Sequence, residues 1–178
     1  MLRRILSVGG FTLLSRVTGF ARDIVLAAII GAGPIADAFV VALRIPNHFR
    51  AIFGEGAFNN AFVPTYSRLL ETTGPGSART FSGRITTLML LIQIVLLVLA
   101  LPAMPFVVSL LAPGFPEDGG RFDLAVTLTR ITFPYLLFMT LVTILSGVLN
   151  AHERFAAAAA APVLLNVSMI AALALAGF

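Results

Sequence analysis

Apolar residues run along this chain in long blocks, separated by short clusters of Gly, Pro and polar residues. A helix needs about 20 mostly apolar residues to cross a hydrocarbon core of about 30 Å. The first such block runs from Ile5 to Ile30 and stops at Gly31-Ala32-Gly33-Pro34, a helix-breaking turn. The second runs from Ile35 to Leu70. At 1.5 Å per residue it would measure roughly 50 Å, too long for one crossing. It also holds Pro46-Asn47 and Gly54-Glu55-Gly56, so a kinked or broken helix is predicted, its second half emerging into water.

Glu71 to Ser77, with Gly74-Pro75-Gly76, reads as a polar loop. The third block, Ile85 to Leu101, is the clearest: Gln93 is its sole strongly polar residue. Pro102, Pro105 and Pro113-Gly114-Phe115-Pro116 then predict a punctuated loop with room for a short interfacial helix, and Glu117 to Arg121 in solvent. The fourth block spans Leu124 to Leu149, with a kink expected at Pro134. Asn150 to Arg154 forms a short polar loop, and the fifth block runs from Phe155 to Phe178. The pattern predicts an all-α integral membrane protein: a single bundle of five transmembrane helices, with helix 2 kinked.

Composition strengthens this. Of 178 residues, 58% are hydrophobic and only 11% charged, and the mean hydropathy is +0.99. Soluble domains are about 25% charged and 45–50% apolar. The start, Met1-Leu2-Arg3-Arg4 before an apolar run, imitates a signal peptide. Arg16, Arg22 and Asp23 interrupt that run, so a first spanning helix is the better reading.

Loop charges orient the bundle. One side holds Arg3, Arg4, Arg68, Arg79, Arg84 and Arg154; the other holds Arg121 beside Glu117 and Asp118. Basic residues favour the cytoplasmic side, which places the N-terminus there. Five crossings put the C-terminus outside, and an odd count with no polar tail suggests a piece of a longer transporter.

Several chemistries are excluded. The chain has no Cys, and His48 and His152 lie far apart, so no metal-ligand spacing exists. No cofactor is expected. All basic residues are Arg and the net charge is +4, but no basic stripe with interleaved aromatics appears, so nucleic acid is not an expected partner. No nucleophile–base set or phosphate-cradling Gly loop after a strand is present, which argues against an enzyme.

What stands out is charge inside the first two blocks: Arg16, Arg22 and Asp23 in one, Asp37, Arg44, Arg50 and Glu55 in the other. A charge at the bilayer centre costs about 2.5–3.5 kcal/mol on insertion scales. Such residues persist when they face a bundle interior or a wet cavity. Thr12, Arg16, Gly19 and Asp23 follow helical spacing and share one face, as do Asp37 and Arg44. Arg22 points about a third of a turn from Arg16, so both can border one wide cavity. Arg keeps its charge and presents a planar fork that suits phosphate, so an anionic headgroup, a diphosphate in particular, fits the cluster. The plainer alternative is that Arg16 and Arg22 pair with Asp23, Asp37 or Glu55 as structural glue, and that Arg44 snorkels to an interface. His48 reads as a packing residue, and Ala156 to Ala161 as a close helix-packing surface.

These residues also carry a family resemblance. Ser15-Arg16-Val17-Thr18-Gly19-Phe20-Ala21-Arg22-Asp23, Gly31-Ala32-Gly33, Asp37-Ala38-Phe39, Pro46-Asn47, Glu55-Gly56-Ala57-Phe58 and Ala61-Phe62-Val63-Pro64 resemble the N-terminal region of the lipid II flippase (MurJ/MviN) family. That family belongs to the multidrug, oligosaccharidyl-lipid and polysaccharide exporter superfamily. Ala112-Pro113-Gly114-Phe115, Thr132-Phe133-Pro134-Tyr135, Asn150 with Arg154-Phe155, and Pro162-Val163-Leu164-Leu165-Asn166 extend the match over nearly the whole chain.

The resemblance implies movement of the lipid-linked peptidoglycan precursor, lipid II, from the inner to the outer leaflet of the bacterial plasma membrane. It implies two lobes alternating access around a central cationic cavity, of which this chain is similar to most of the first. The implied partners are a lipid-linked anionic substrate, membrane lipids and the remaining helices of a longer transporter. Family cavity arginines carry over to Arg16, Arg22 and Arg50, and acidic residues to Asp23, Asp37 and Glu55. Ion pairs among Asp23, Asp37, Arg44 and Glu55 are expected to gate the cavity, and Gly31, Gly33, Pro34, Pro46, Gly54 and Gly56 to supply hinges. Two further readings stay open: an exporter of another polyprenyl-linked saccharide or of a drug, and a membrane scaffold that does not transport.

Overall fold

The computed structural model describes residues 2–31, 33–54, 57–115 and 120–176, with side chains over 8–31, 33–44, 58–115 and 120–175. The described residues form α1 (Leu2–Ile30), α2 (Pro34–Gly54), α3 (Ala57–Thr72), α4 (Pro75–Leu111), α5 (Gly120–Thr132), α6 (Tyr135–Ala151) and α7 (Phe155–Ala176), with no strand among them. The chain is an all-α integral membrane protein. Three segments are long and apolar enough to cross a bilayer: Pro75–Leu111, Gly120–Ala151 and Phe155–Leu175. Helix α1 differs from these because Arg16, Arg22 and Asp23 interrupt its apolar run.

Polar side chains are accommodated in these helices largely by bonding to the preceding turn. Thr12, Thr86, Thr140 and Thr143 each donate to the carbonyl four residues back, at 2.8–2.9 Å. Such back-bonding hides a hydroxyl from lipid without a partner helix.

The chain divides into two compact units, residues 1–32 with 149–178, and residues 33–148. In the first, α1 packs along α7. Helix α1 ends at Gly31, whose positive φ of 68° and N–H bond to the Ala27 carbonyl form a left-handed cap. Helix α7 begins after Glu153, which takes a positive φ of 58°. The Arg154 and Glu153 amides bond to the Leu149 and Asn150 carbonyls, a reverse turn of the Schellman type.

In the second unit α2 packs on α5, α5 on α4, and α3 on both α2 and α4. The core joins Ala38 and Val41 of α2 with Phe122, Ala125 and Val126 of α5 and Leu97, Met104 and Val108 of α4. Small residues let α2 come close to α5: Ala38, Ala42 and Ala125 are all fully buried. Around α3, Phe62 stacks on Phe58, Tyr66 and Phe81, with ring centroids 5.1–5.7 Å apart. Gly147 of α6 fits against this stack; a Cβ there would lie 2.9 Å from Phe62 Cδ1. Elsewhere the apolar surface stays open: Leu91, Val95, Val98 and Leu99 of α4 are all more than half exposed. A band of that kind suits lipid rather than water.

The second block, where a kinked or broken helix is expected, is split, α2 ending at Gly54 and α3 starting at Ala57; Glu55 and Gly56 lie outside the described residues. The helices depart from the sequence expectation in three other places. The loop expected over 71–77 shrinks to Thr73 and Gly74, where Gly74 takes a φ of 86° and Pro75 opens α4. Proline suits a first helical turn because no N–H is needed there.

The second departure is the largest. Pro102 and Pro105 do not end the helix; α4 continues to Leu111. Proline removes an amide donor, so Pro105 leaves the Leu101 carbonyl without its helical bond. Arg130 of α5 donates Nε to that carbonyl at 3.1 Å. Met104 and Val108 are fully buried just beyond, so packing also supports the continuation. The same device recurs at α2. Position 46 is Pro, which leaves the Ala42 carbonyl without a donor, and the Thr132 hydroxyl supplies one at 3.1 Å. The fourth block is broken at Phe133-Pro134 rather than merely kinked, with α5 and α6 on either side.

Candidate functional site: a polar network joining α1 and α7

The first unit places three of the expected site residues. Arg16 lies on an exposed face of α1 and, among the described residues, meets no hydrogen-bond or ion-pair partner. Arg22 is half-buried and held from two sides. Its Nε and Nη2 donate to Asp23 Oδ1 at 3.0 and 2.7 Å. Its Nη1 donates to Asn166 Oδ1 on α7 at 3.0 Å. Asn166 in turn donates Nδ2 to the Ser15 carbonyl at 3.1 Å and to the Thr18 hydroxyl at 3.3 Å. One amide therefore ties three successive turns of α1 to the middle of α7.

Local sequence explains the geometry. Ser15, Thr18 and Arg22 sit three and four residues apart, on one stripe of α1. Gly19 lies within that stripe, and a Cβ there would sit 3.4 Å from Asn166 Nδ2, at the edge of contact. Asn166 is buried to 6% exposure in a helix that is otherwise apolar over most of its length. A polar group in such a place is costly unless bonded, and here both ends of the amide are bonded.

The second unit holds Asp37 and Arg44. Asp37, in the first turn of α2, lies 3.6 Å from Arg121 Nη1 in the first turn of α5, both side chains about half exposed. Arg44 is exposed on α2 and takes part in an interaction of its own. Arg50 and His48 lie on α2 where side chains are outside the described residues, as does the ring of Pro46; Glu55 and Gly56 lie outside the described residues altogether. Of the expected hinges, Gly31 has the left-handed φ of 68°, Gly33 and Pro34 lead into α2, and Gly54 is its last residue.

So the structure brings Arg22 and Asp23 together and, among the described residues, gives Arg16 no partner. It also adds residues to which the sequence reading gave no role. Asn166 carried a signal: it is a lone amide midway along an apolar span. Arg121 carried none, because its sequence position reads as a solvent loop.

The chain is similar to known proteins over nearly its whole length. Residues 26–177 match the family described as lipid II flippase MurJ. The chain is 45% identical over 172 residues to the lipid II flippase MurJ of Burkholderia cenocepacia, covering 97% of this chain and 33% of that protein. It is 44% identical over 174 residues to the probable lipid II flippase MurJ of Rhizobium tropici, again covering 97% and 33%. It is 44% identical over 168 residues to the probable lipid II flippase MurJ of Haemophilus influenzae, covering 90% and 33%. The chain thus spans about a third of the length of these relatives. On this match, the chain belongs to the lipid II flippase MurJ family.

Proposed function

We propose that this chain supplies the headgroup-binding part of a lipid II flippase in the bacterial plasma membrane. It works by transport rather than catalysis, moving a lipid-linked diphosphate from the inner to the outer leaflet by alternating access. As the family resemblance implies, Arg16, Arg22 and Arg50 hold the diphosphate while the lipid tail stays in the bilayer. Asp23, Asp37, Arg44 and Glu55 exchange ion-pair partners between inward and outward states, and the Asp37–Arg121 pair is one such contact. Bends at Gly31, Gly33, Pro34, Pro46, Gly54 and Gly56 let the helices rock. The chain crosses the bilayer five times from a cytoplasmic N-terminus, as the bias of arginines between the apolar runs favours.

One observation carries this reading: Arg16 is a guanidinium in an apolar helix with no protein partner among the described residues. A charge left unpaired at membrane depth needs water or an anion. The scaffold alternative would have its charges fully paired, and a drug exporter would favour an acidic, cation-binding cavity; Arg16 argues against both.

The test is complementation. Cells depleted of their own lipid II flippase receive a transporter carrying this chain with Arg16→Ala, Arg22→Ala or Arg50→Ala. Loss of growth at normal membrane expression is expected for each. Full activity in all three overturns the headgroup role.

A further inference from the structure

We propose that Asn166 is the positioning residue for Arg22: its amide holds the guanidinium against α7 and sets which of its N–H groups face an anion. The geometry assigns the amide unambiguously. Nδ2 faces two acceptors, the Ser15 carbonyl at 3.1 Å and the Thr18 hydroxyl at 3.3 Å. Oδ1 faces a donor, Arg22 Nη1 at 3.0 Å. Rotating the amide by half a turn would set N–H against N–H and oxygen against carbonyl oxygen, so one orientation alone satisfies the site. Thr18 helps to fix it. Its hydroxyl lies 2.8 Å from the Leu14 carbonyl and 3.1 Å from the Ser15 carbonyl, and donating to either leaves its lone pairs to accept from Asn166.

Arg22 is consequently held from two sides. Nε and Nη2 lie on Asp23 Oδ1, and Nη1 lies on Asn166. A guanidinium has five N–H donors. Three are used, and the two left are one on each terminal nitrogen. Those two N–H groups remain for an anion's oxygens. Asp23 on its own is an exposed neighbour one residue away, its side chain 62% exposed, and cannot fix the plane of the group. The buried amide can. Arg16 has no such partner among the described residues and can reorient. The two arginines therefore differ in kind: one pre-oriented, one mobile. The consequence for headgroup binding rests on the flippase reading above; the Arg22–Asn166 relationship does not.

The experiment reads arginine reactivity, not transport. The protein in native membranes is treated with phenylglyoxal, and modification at each arginine is followed by peptide mass spectrometry. Arg16 should react well ahead of Arg22. Asn166→Leu removes both halves of the amide contact and should speed Arg22 modification about tenfold, the size of one hydrogen bond to a charged group, with Arg16 unchanged. Asn166→Asp keeps an acceptor for Nη1, so Arg22 should stay protected. Gly19→Val keeps the amide but crowds it, and should also expose Arg22; it serves if Asn166→Leu fails to fold. Arg22 reacting as fast as Arg16 in the unaltered protein, or at one rate in all these variants, overturns the proposal. A flippase reading that failed in complementation would leave these rates untouched.

Discussion

Arg130 Nε donates to the Leu101 carbonyl oxygen at 3.1 Å, the oxygen that Pro105 strips of its helical donor. The bond lets α4 run through Pro105. It predicts a specific coupling. Arg130→Met should destabilise the protein by about 1 kcal/mol, discounted because Arg130 is exposed. In a Pro105→Ala background the Leu101 carbonyl regains its amide partner, and the same substitution should cost almost nothing. A double-mutant cycle on unfolding midpoints in detergent checks this. Additive effects would refute the bond's role.

Thr132 does for α2 what Arg130 does for α4. Its hydroxyl lies 3.1 Å from the Ala42 carbonyl, in a part of α2 where Ala42 is fully buried. Thr132→Val keeps the shape and removes the donor, leaving a buried acceptor unmet; a loss of about 1–2 kcal/mol is expected. Thr132→Ser keeps the hydroxyl and should lose less than half of that. Equal losses for the two variants would assign the effect to packing.

Gly147 leaves no room for a side chain. A Cβ would meet Phe62 Cδ1 at 2.9 Å and Asn59 Oδ1 at 3.1 Å. Phe62 is 3% exposed and stacked between three aromatic rings, so it cannot swing away freely. Gly147→Ala should therefore cost about 1–3 kcal/mol by overpacking. Pairing it with Phe62→Leu should recover part of the loss. A Gly147→Ala protein that melts at the original midpoint would show that the aromatic stack yields.

The sequence spoke plainly about what is local and only faintly about what is not. The apolar runs of α4 and α7 are visible directly, because a membrane span is a property of consecutive residues. The charges of α1 were visible for the same reason: Arg16 and Arg22 violate the run they sit in. The continuation of α4 through Pro102 and Pro105 was hidden, since the donor that supports it comes from Arg130, 29 residues away. Asn166 was conspicuous as an amide, but its partners lie 144 to 151 residues distant. Arg121 was misleading in the opposite way: a charge placed among loop residues turns out to face Asp37.

That Asp37–Arg121 contact predicts little for stability and more for motion. At 3.6 Å, with both side chains about half exposed, the pair should contribute less than about 1 kcal/mol. Asp37→Asn should leave the unfolding midpoint nearly unchanged at physiological salt. If the pair is broken and remade during transport, the same variant should alter the transport rate. A change in melting of several degrees, with transport intact, would make the contact structural.

Gly31 and Gly33 separate a conformational need from mere smallness. Gly31 takes a φ of 68° at the end of α1, where an L side chain is strained, while nothing lies within 4 Å of a Cβ at either glycine. Steric room is thus equal and backbone conformation differs. Gly31→Ala should cost about 1 kcal/mol, from the left-handed conformation alone. Gly33→Ala meets no such strain and should change stability by less than about 0.5 kcal/mol. If both substitutions cost the same, the left-handed cap does not terminate α1, and the turn into α2 must be held by something other than the backbone freedom of Gly31.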